Sequence, residues 1–146
     1  MLWWPVGYPK RYAMQSNNGM HKMQIYKILT RIFVDSTELE NSIFFYEKLF
    51  GEKCELRFKY SEKELELAMV GSILLISGSA DRLEPFTETQ VTILVDSIDE
   101  FLEFHTAHNS TILEYPKSVP TGKNMRVKHP DGLIAEYVEH KAEGKA

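Results

Sequence analysis

The pentapeptide Ile-Phe-Val-Asp-Ser at residues 32–36 recurs almost unchanged as Ile-Leu-Val-Asp-Ser at residues 93–97, an offset of 93 − 32 = 61 residues. Each copy is a β-branched run followed by an acidic segment with helical spacing. A strand-then-helix unit that recurs at a fixed offset predicts a domain built from two copies of one supersecondary pattern. Every position in one half can therefore be compared with its counterpart in the other half.

Hydrophobic periodicity predicts the same order of elements in both halves. The first half is predicted to contain a strand at 25–34, a helix at 38–50, a hairpin at 53–60 and 64–70, a strand at 73–76 and a polar linker at 77–89. Asp35, Ser36 or Thr37 can cap the start of this helix, and Gly51 ends it. The second half reads as a strand at 90–95, a helix at 97–108, a strand at 112–115, a loop at 116–123 and a hairpin at 125–128 and 133–138. Each half is thus predicted to be β-α-β-β-β, which gives an α+β protein.

The length, composition and net charge of the chain argue against several classes of function. The chain has 146 residues, the size of one domain, which we expect to span 23–140 with modules at 25–79 and 90–139. Residues 1–22 read as an irregular N-terminal extension and 141–146 as a tail. Net charge is −4 without a basic cluster, which argues against a nucleic-acid partner, and no apolar stretch is long enough for a membrane span. One cysteine, Cys54, is compatible with a cytoplasmic location.

Two further motifs carry a family resemblance. The segment Ser42-Ile-Phe-Phe-Tyr-Glu-Lys-Leu-Phe-Gly51 resembles the end of the first helix in the vicinal oxygen chelate superfamily, and His129-Pro-Asp-Gly-Leu-Ile-Ala-Glu136 resembles its last hairpin. That superfamily includes glyoxalase I, bleomycin-resistance proteins and extradiol dioxygenases. The resemblance covers roughly residues 25–139. It implies two βαβββ modules with curled mixed sheets around a shared cavity, helices outside, and a small organic molecule as the partner.

The resemblance also implies where metal ligands would lie. Metal-dependent members place a His, Glu or Gln on the first and on the last strand of each module. Matching the strand ends at Val34 and Val95 puts the first-strand positions at Leu29 and Gln90, again 90 − 29 = 61 residues apart. The last-strand position of the second module is Glu136, and that of the first module is Leu74 or Leu75. Because leucine has no donor atom, we predict no metal and no other cofactor, with a divalent metal as the alternative.

Strand alternation predicts what the cavity presents instead. Residues i and i+2 share a face, so the ligand-binding candidates are Arg31, Phe33, Gln90, Thr92 and Glu136. In one interpretation Arg31 and Glu136 neutralise each other; in the other, Arg31 binds an anionic group of a ligand and Glu136 accepts a ligand hydrogen bond. No catalytic residue is assigned, although Glu136 is the candidate general base. His105 and His108 are either ordinary helix histidines or a weak surface metal patch.

Three functions remain open at this point. The leading hypothesis is a metal-free small-molecule-binding protein of the glyoxalase and bleomycin-resistance kind. The alternatives are a metal-dependent lyase, epimerase or dioxygenase of the same superfamily, and a structural or regulatory module without a ligand. The resemblance also implies a homodimer.

Overall fold

The computed structural model describes residues 23–119 and 122–140, so the predicted extension at 1–22 and the tail at 141–146 lie outside the described residues. The chain divides into two units. The central unit is Leu29–Gln90, and the terminal unit combines Met1–Ile28 with Val91–Ala146. No helix in the described ranges is long and apolar enough to cross a membrane.

The central unit follows the β-α-β-β-β order that the sequence predicts. Strand β1 is Ile25–Asp35, helix α1 is Leu39–Phe50, and strands β2, β3 and β4 are Leu56–Tyr60, Leu65–Val70 and Ile73–Gly78. The strand order is β2-β3-β4-β1, antiparallel except for the β1–β4 pair, which is parallel. Gly51 ends α1 in a left-handed conformation, and its N–H donates to the carbonyl oxygen of Glu47.

The terminal unit repeats this arrangement. Strand β5 is Val91–Val95, helix α3 is Ile98–Ala107, and strands β6, β7 and β8 are Thr111–Val119, Gly122–Lys128 and Ile134–His140. The strand order is β5-β8-β7-β6, with β5 and β8 parallel and the other pairs antiparallel. Ser97 caps α3 by accepting a hydrogen bond from the Glu100 N–H. The α+β class and the two βαβββ modules predicted from the sequence are therefore confirmed.

Two local predictions were wrong. The segment 77–89, predicted as a polar linker, holds a short helix α2, Ala80–Leu83, followed by a 3-10 turn at Glu84–Phe86. Residues 116–119 continue β6 and β7 begins at Gly122, where a loop at 116–123 had been predicted. Of the three predicted cap residues, Asp35 is the cap: its carboxylate accepts a hydrogen bond from the Thr37 N–H at the 3-10 turn that precedes α1.

In each unit the long helix packs against one face of the four strands. In the central unit this core contains buried side chains from α1, β3 and β4, namely Leu39, Ile43, Ala68, Val70 and Leu75. In the terminal unit it contains Ile93, Val95, Ile98, Phe101, Met125, Val127, Ala135 and Tyr137. Because side chains alternate along a strand, the residues between these positions point to the other side of the sheet. We call that side the distal face of each unit.

Candidate functional site: the distal faces of the two units

The strand register identifies the internal counterpart of Glu136. In the parallel pair β5–β8, Thr92 lies opposite Glu136, and in the parallel pair β1–β4, Arg31 lies opposite Leu74. Thr92 is Arg31 displaced by the repeat offset, since 92 − 31 = 61. Leu74 is therefore the counterpart of Glu136. Leu75, the other residue allowed by the sequence, belongs to the core beneath α1.

The distal face of the central unit is mostly apolar around Arg31. Leu29 and Leu74 are buried on it, Phe33 is partly buried, and Arg31 is only 7% exposed. The backbone N–H of Arg31 donates to the carbonyl oxygen of Gln90. A guanidinium in such surroundings loses much of its hydration, so whatever anion it meets there is held strongly.

The distal face of the terminal unit is more polar. Glu136 is 2% exposed, and Thr92, its neighbour on β5, is fully buried. The residues on either side of Glu136, Ala135 and Tyr137, point into the core beneath α3, which fixes the direction of the carboxylate. The structure thus places Thr92 and Glu136 side by side on one face, as the alternation predicts.

Gln90 differs from the other candidates because its side chain is exposed. It lies at the end of the central unit, immediately before β5, and not inside a strand. Its backbone carbonyl is the group that pairs with β1. The repeat offset equates Gln90 with Leu29, but Leu29 is fully buried whereas Gln90 is exposed.

Polar residues on β6 and β7 also belong to the distal face, although they were not predicted from the sequence. Asn124 is buried and Arg126 partly buried, and both alternate with core residues of β7, so they lie on the distal face with Glu136. Arg126 is the cross-strand partner of Glu136, and its Nε is 3.6 Å from Oε2 of Glu114 on β6. The alternation of polar and apolar residues in Asn124, Met125, Arg126 and Val127 could have identified them. It can be recognised only if β7 is taken to begin at Gly122 and not at Met125.

The four positions at which the resemblance implies metal ligands are Leu29, Leu74, Gln90 and Glu136. Their side chains do not provide the donor atoms that a metal ion needs. Leu29 and Leu74 have no lone pair to offer, which leaves the amide of Gln90 and the carboxylate of Glu136. Protein sites for Zn, Ni, Fe or Mn need three or more protein N, O or S donors in a fixed geometry. Within residues 23–119 and 122–140, no group of three or more His, Cys, Asp or Glu side chains is arranged to hold a metal.

The helix histidines do not form the surface patch that was considered as an alternative. His105 is buried, whereas His108 is exposed, stacks on Phe104 and pairs through Nδ1 with the carbonyl oxygen of that residue. His105 instead joins a hydrogen-bonded chain beneath α3. Its Nδ1 is 2.7 Å from Oγ of Ser110, and its Nε2 is 2.8 Å from the Tyr137 hydroxyl.

His129 extends this chain, because its Nε2 is 2.7 Å from the same Tyr137 hydroxyl. The hydroxyl has one proton, so it donates to one imidazole and accepts from the other. Burial, with smaller contributions from His129 and His108, lowers the pKa of His105 to about 4, and burial raises the pKa of Tyr137 to about 12. The His105–Tyr137 pair is therefore neutral at pH 7 and lies on the helix side of the sheet, away from the distal face.

Cys54 has the properties of a packing residue. It is half-buried against the core beneath α1, and its thiol donates to the carbonyl oxygen of Leu56. Burial raises the pKa of the thiol, which keeps it protonated at neutral pH. We assign it no catalytic role.

No protein-family model matches the chain, and no curated protein matches it either. Among solved structures, an uncharacterized protein from Methanosarcina mazei is 43% identical, with 81% of this chain and 94% of that chain covered and a TM-score of 0.73. Methylmalonyl-CoA epimerase from Mycobacterium tuberculosis is 12% identical, with 85% and 94% covered and a TM-score of 0.57.

A variant of 4-hydroxymandelate synthase from Streptomyces coelicolor is 15% identical, with 85% of this chain and 51% of that chain covered and a TM-score of 0.50. At these low identities the two enzymes share only the fold with this chain. The fold agrees with the internal repeat and with the motifs that end at Gly51 and Glu136. The chain belongs to one family with the uncharacterized protein from Methanosarcina mazei, and it has the fold that its resemblance to the vicinal oxygen chelate superfamily implies.

Proposed function

We propose that this protein is a metal-free member of the superfamily that binds a small organic molecule carrying an anionic group. One observation carries the proposal: the strand register makes Leu74 the counterpart of Glu136. The central unit thus has leucine where a metal-dependent member needs donors, and has a buried arginine two residues after Leu29. The chemistry available on that distal face is anion binding in apolar surroundings.

Arg31 is the candidate anchor for the anion. Its guanidinium can bind a carboxylate through two parallel hydrogen bonds, and Leu29, Phe33 and Leu74 supply apolar surface beside it. An aromatic or amphipathic carboxylate satisfies both features. In the terminal unit, Glu136 and Thr92 are the candidates for binding a hydrogen-bond donor of a ligand, and Gln90 is a further polar candidate.

Thermal unfolding with a panel of small aromatic carboxylates tests the proposal. A ligand that binds the folded chain raises its unfolding free energy by about 2.7 kcal/mol at one hundred times its Kd. We expect Arg31→Leu to weaken binding of the carboxylates by roughly a hundredfold, since a charge-assisted hydrogen bond in apolar surroundings is worth about 1.5–3 kcal/mol. Binding of the corresponding uncharged amides should change much less.

Arg57→Leu is the matched control, because Arg57 lies on β2 of the same unit but is exposed and paired with Glu40 and Glu66 on the helix side. It should leave ligand affinity unchanged. The proposal fails if no member of the panel raises the unfolding temperature at any concentration. The role of Arg31 fails if Arg31→Leu and Arg57→Leu affect carboxylate binding equally.

A further inference from the structure

Four polar side chains beneath the end of α3 form one continuous chain of hydrogen bonds. Oγ of Ser110 is 2.7 Å from Nδ1 of His105, and Nε2 of His105 is 2.8 Å from the Tyr137 hydroxyl. The same hydroxyl is 2.7 Å from Nε2 of His129. His105 and Tyr137 are buried, whereas His129 is only partly buried. The chain therefore links the end of α3 to β8 and to the turn at 129–132.

The ionisable groups that act on His105 are imidazoles. The His129 ring is stacked on it with the ring centres 5.2 Å apart, and burial together with His129 and His108 lowers the pKa of His105 to about 4. The carboxylates on α3 and on the elements around it have partners of their own, namely Asp99 with Lys123, Glu139 with the Ile98 N–H, Glu114 with Arg126 and Asp131 with the Leu133 N–H. Glu103 and Lys128 are exposed. Burial and the neighbouring imidazoles therefore set the proton balance of the chain.

The hydrogen-bonded chain can hold one extra proton without losing a bond. In its neutral form, one imidazole donates from Nε2 to the Tyr137 oxygen, and the other accepts the Tyr137 proton. When His129 is charged, it donates to Tyr137, the hydroxyl donates to Nε2 of His105, and Nδ1 of His105 donates to Ser110. Every group then has a partner, and the positive charge lies on the imidazole that is partly exposed to water.

A second proton, on His105, does not fit this arrangement. Both imidazoles would then donate from Nε2 to the Tyr137 oxygen, and the hydroxyl proton would lose its acceptor. Two cations would also be stacked with their ring centres 5.2 Å apart, and one of them would be buried. The bond between His105 and Tyr137 is therefore the one that the second proton breaks.

We propose that this hydrogen-bonded chain is a two-step acid switch that holds the end of α3 against β8. The first proton enters at His129 and only fixes the direction of the hydrogen bonds. The second proton enters at His105 and frees the end of α3, where the N–H groups of His108 and Ser110 both donate to the His105 carbonyl oxygen. The turn stays intact, because its backbone bonds, from the His129 N–H to Leu133 and from the Gly132 N–H to His129, do not involve the imidazoles.

Nitrogen NMR of the imidazoles tests the first step, because it shows which ring nitrogen carries a proton. Once His129 is charged, His105 should carry its proton on Nδ1 and none on Nε2. In His129→Gln, His105 should become charged at a pH higher by roughly one unit than in the unaltered chain, because the cation beside it is absent. His108→Gln is the matched control: it removes an exposed imidazole outside the hydrogen-bonded chain and should shift the titration of His105 much less.

Amide hydrogen exchange tests the second step. The protection of the His108 and Ser110 N–H groups should fall as His105 becomes charged, while that of the His129 and Gly132 N–H groups persists. Tyr137→Phe lacks the bond to His105 at every pH, so the end of α3 should be poorly protected in this variant already at pH 7. Circular dichroism establishes that the variants are folded; if Tyr137→Phe does not fold, the unaltered chain and His129→Gln decide the question.

Three results would overturn the proposal. The first is a His105 that carries its proton on Nε2 while His129 is charged. The second is an equal shift of the His105 titration in His129→Gln and His108→Gln. The third is a simultaneous loss of protection at the end of α3 and in the turn, because acid would then unfold the unit and not release one end of a helix.

Discussion

Acidification from pH 7 to pH 4 should remove roughly 3 kcal/mol of the free energy of unfolding through His105 alone. Burial beneath α3 lowers the pKa of His105 to about 4, whereas an unfolded chain has the ordinary value of about 6.5. In this interval the unfolded state binds a proton that the folded state does not bind. The stabilisation is fully present above pH 6.5 and is lost as the pH falls toward 4. Burial also lowers the pKa of His140 to about 4, which adds to the loss in the same direction.

Urea unfolding at a series of pH values measures this effect. His105→Gln keeps a hydrogen-bonding side chain beside Tyr137 but cannot titrate, so the dependence of stability on pH between 6.5 and 4 should become shallower by about one proton. His108→Gln removes an exposed histidine from the same helix and should leave the contribution of His105 in place. An unaltered slope in His105→Gln would show that the His105–Tyr137 pair does not exclude the proton.

Gly122→Ala should destabilise the terminal unit by at least about 3 kcal/mol, because two costs coincide. Gly122 has a φ of +151°, and a Cβ atom placed there would lie 1.9 Å from the carbonyl oxygen of Glu139. Gly122 starts β7 opposite His140 at the end of β8, so this close approach holds together the two strands that carry Asn124 and Glu136. Relief of the clash would require the backbones of β7 and β8 to separate.

Gly132→Ala is the matched control for this prediction. Gly132 also has a positive φ, +99°, but a Cβ atom there would meet no atom within 4 Å. Its substitution should cost only the backbone strain, on the order of 1–2 kcal/mol. Urea unfolding of both variants separates strain from steric overlap; equal losses would mean that the strands do not approach as closely as the structure indicates.

The internal repeat predicted the positions of the site residues more precisely than the hydrophobic pattern predicted the ends of the strands. Its offset equates Arg31 with Thr92, and with that equation the strand register selects Leu74 over Leu75 as the counterpart of Glu136. The strand lengths could not be predicted in the same way. Pro116 indicated a loop, but it lies in β6, which is at an end of the strand order β5-β8-β7-β6 and has register irregularities, where the missing N–H of proline is tolerated.

Helix periodicity predicted the inner side of α1 only in part. Leu39 and Ile43 pack on the sheet as expected, but Leu49, which the periodicity placed on the same side, is exposed. At 100° per residue, Leu49 lies nearly 90° from the mean direction of Leu39, Ile43 and Tyr46. A wide apolar stripe in the sequence does not reveal which of its side chains the sheet covers.

The positions of Arg126 and Asn124 on the distal face could not be predicted from the sequence for a different reason. Recognising them as distal-face residues requires the start of β7, and the sequence around Gly122 reads as a loop because glycine and proline are common in turns. The partners across the sheet, Glu114 and Glu136, are separated from them by turns whose lengths set the register. Local patterns contain no information about that register.

Leucines at 29 and 74 leave the positions implied by the resemblance with too few donor atoms to hold a metal ion. Elemental analysis of untagged protein, incubated with Zn, Ni, Mn or Fe salts and then desalted, tests this claim directly. We predict far less than one equivalent of each metal, with no difference between the unaltered chain and Glu136→Gln. One equivalent of a retained metal that disappears in Glu136→Gln would contradict the claim.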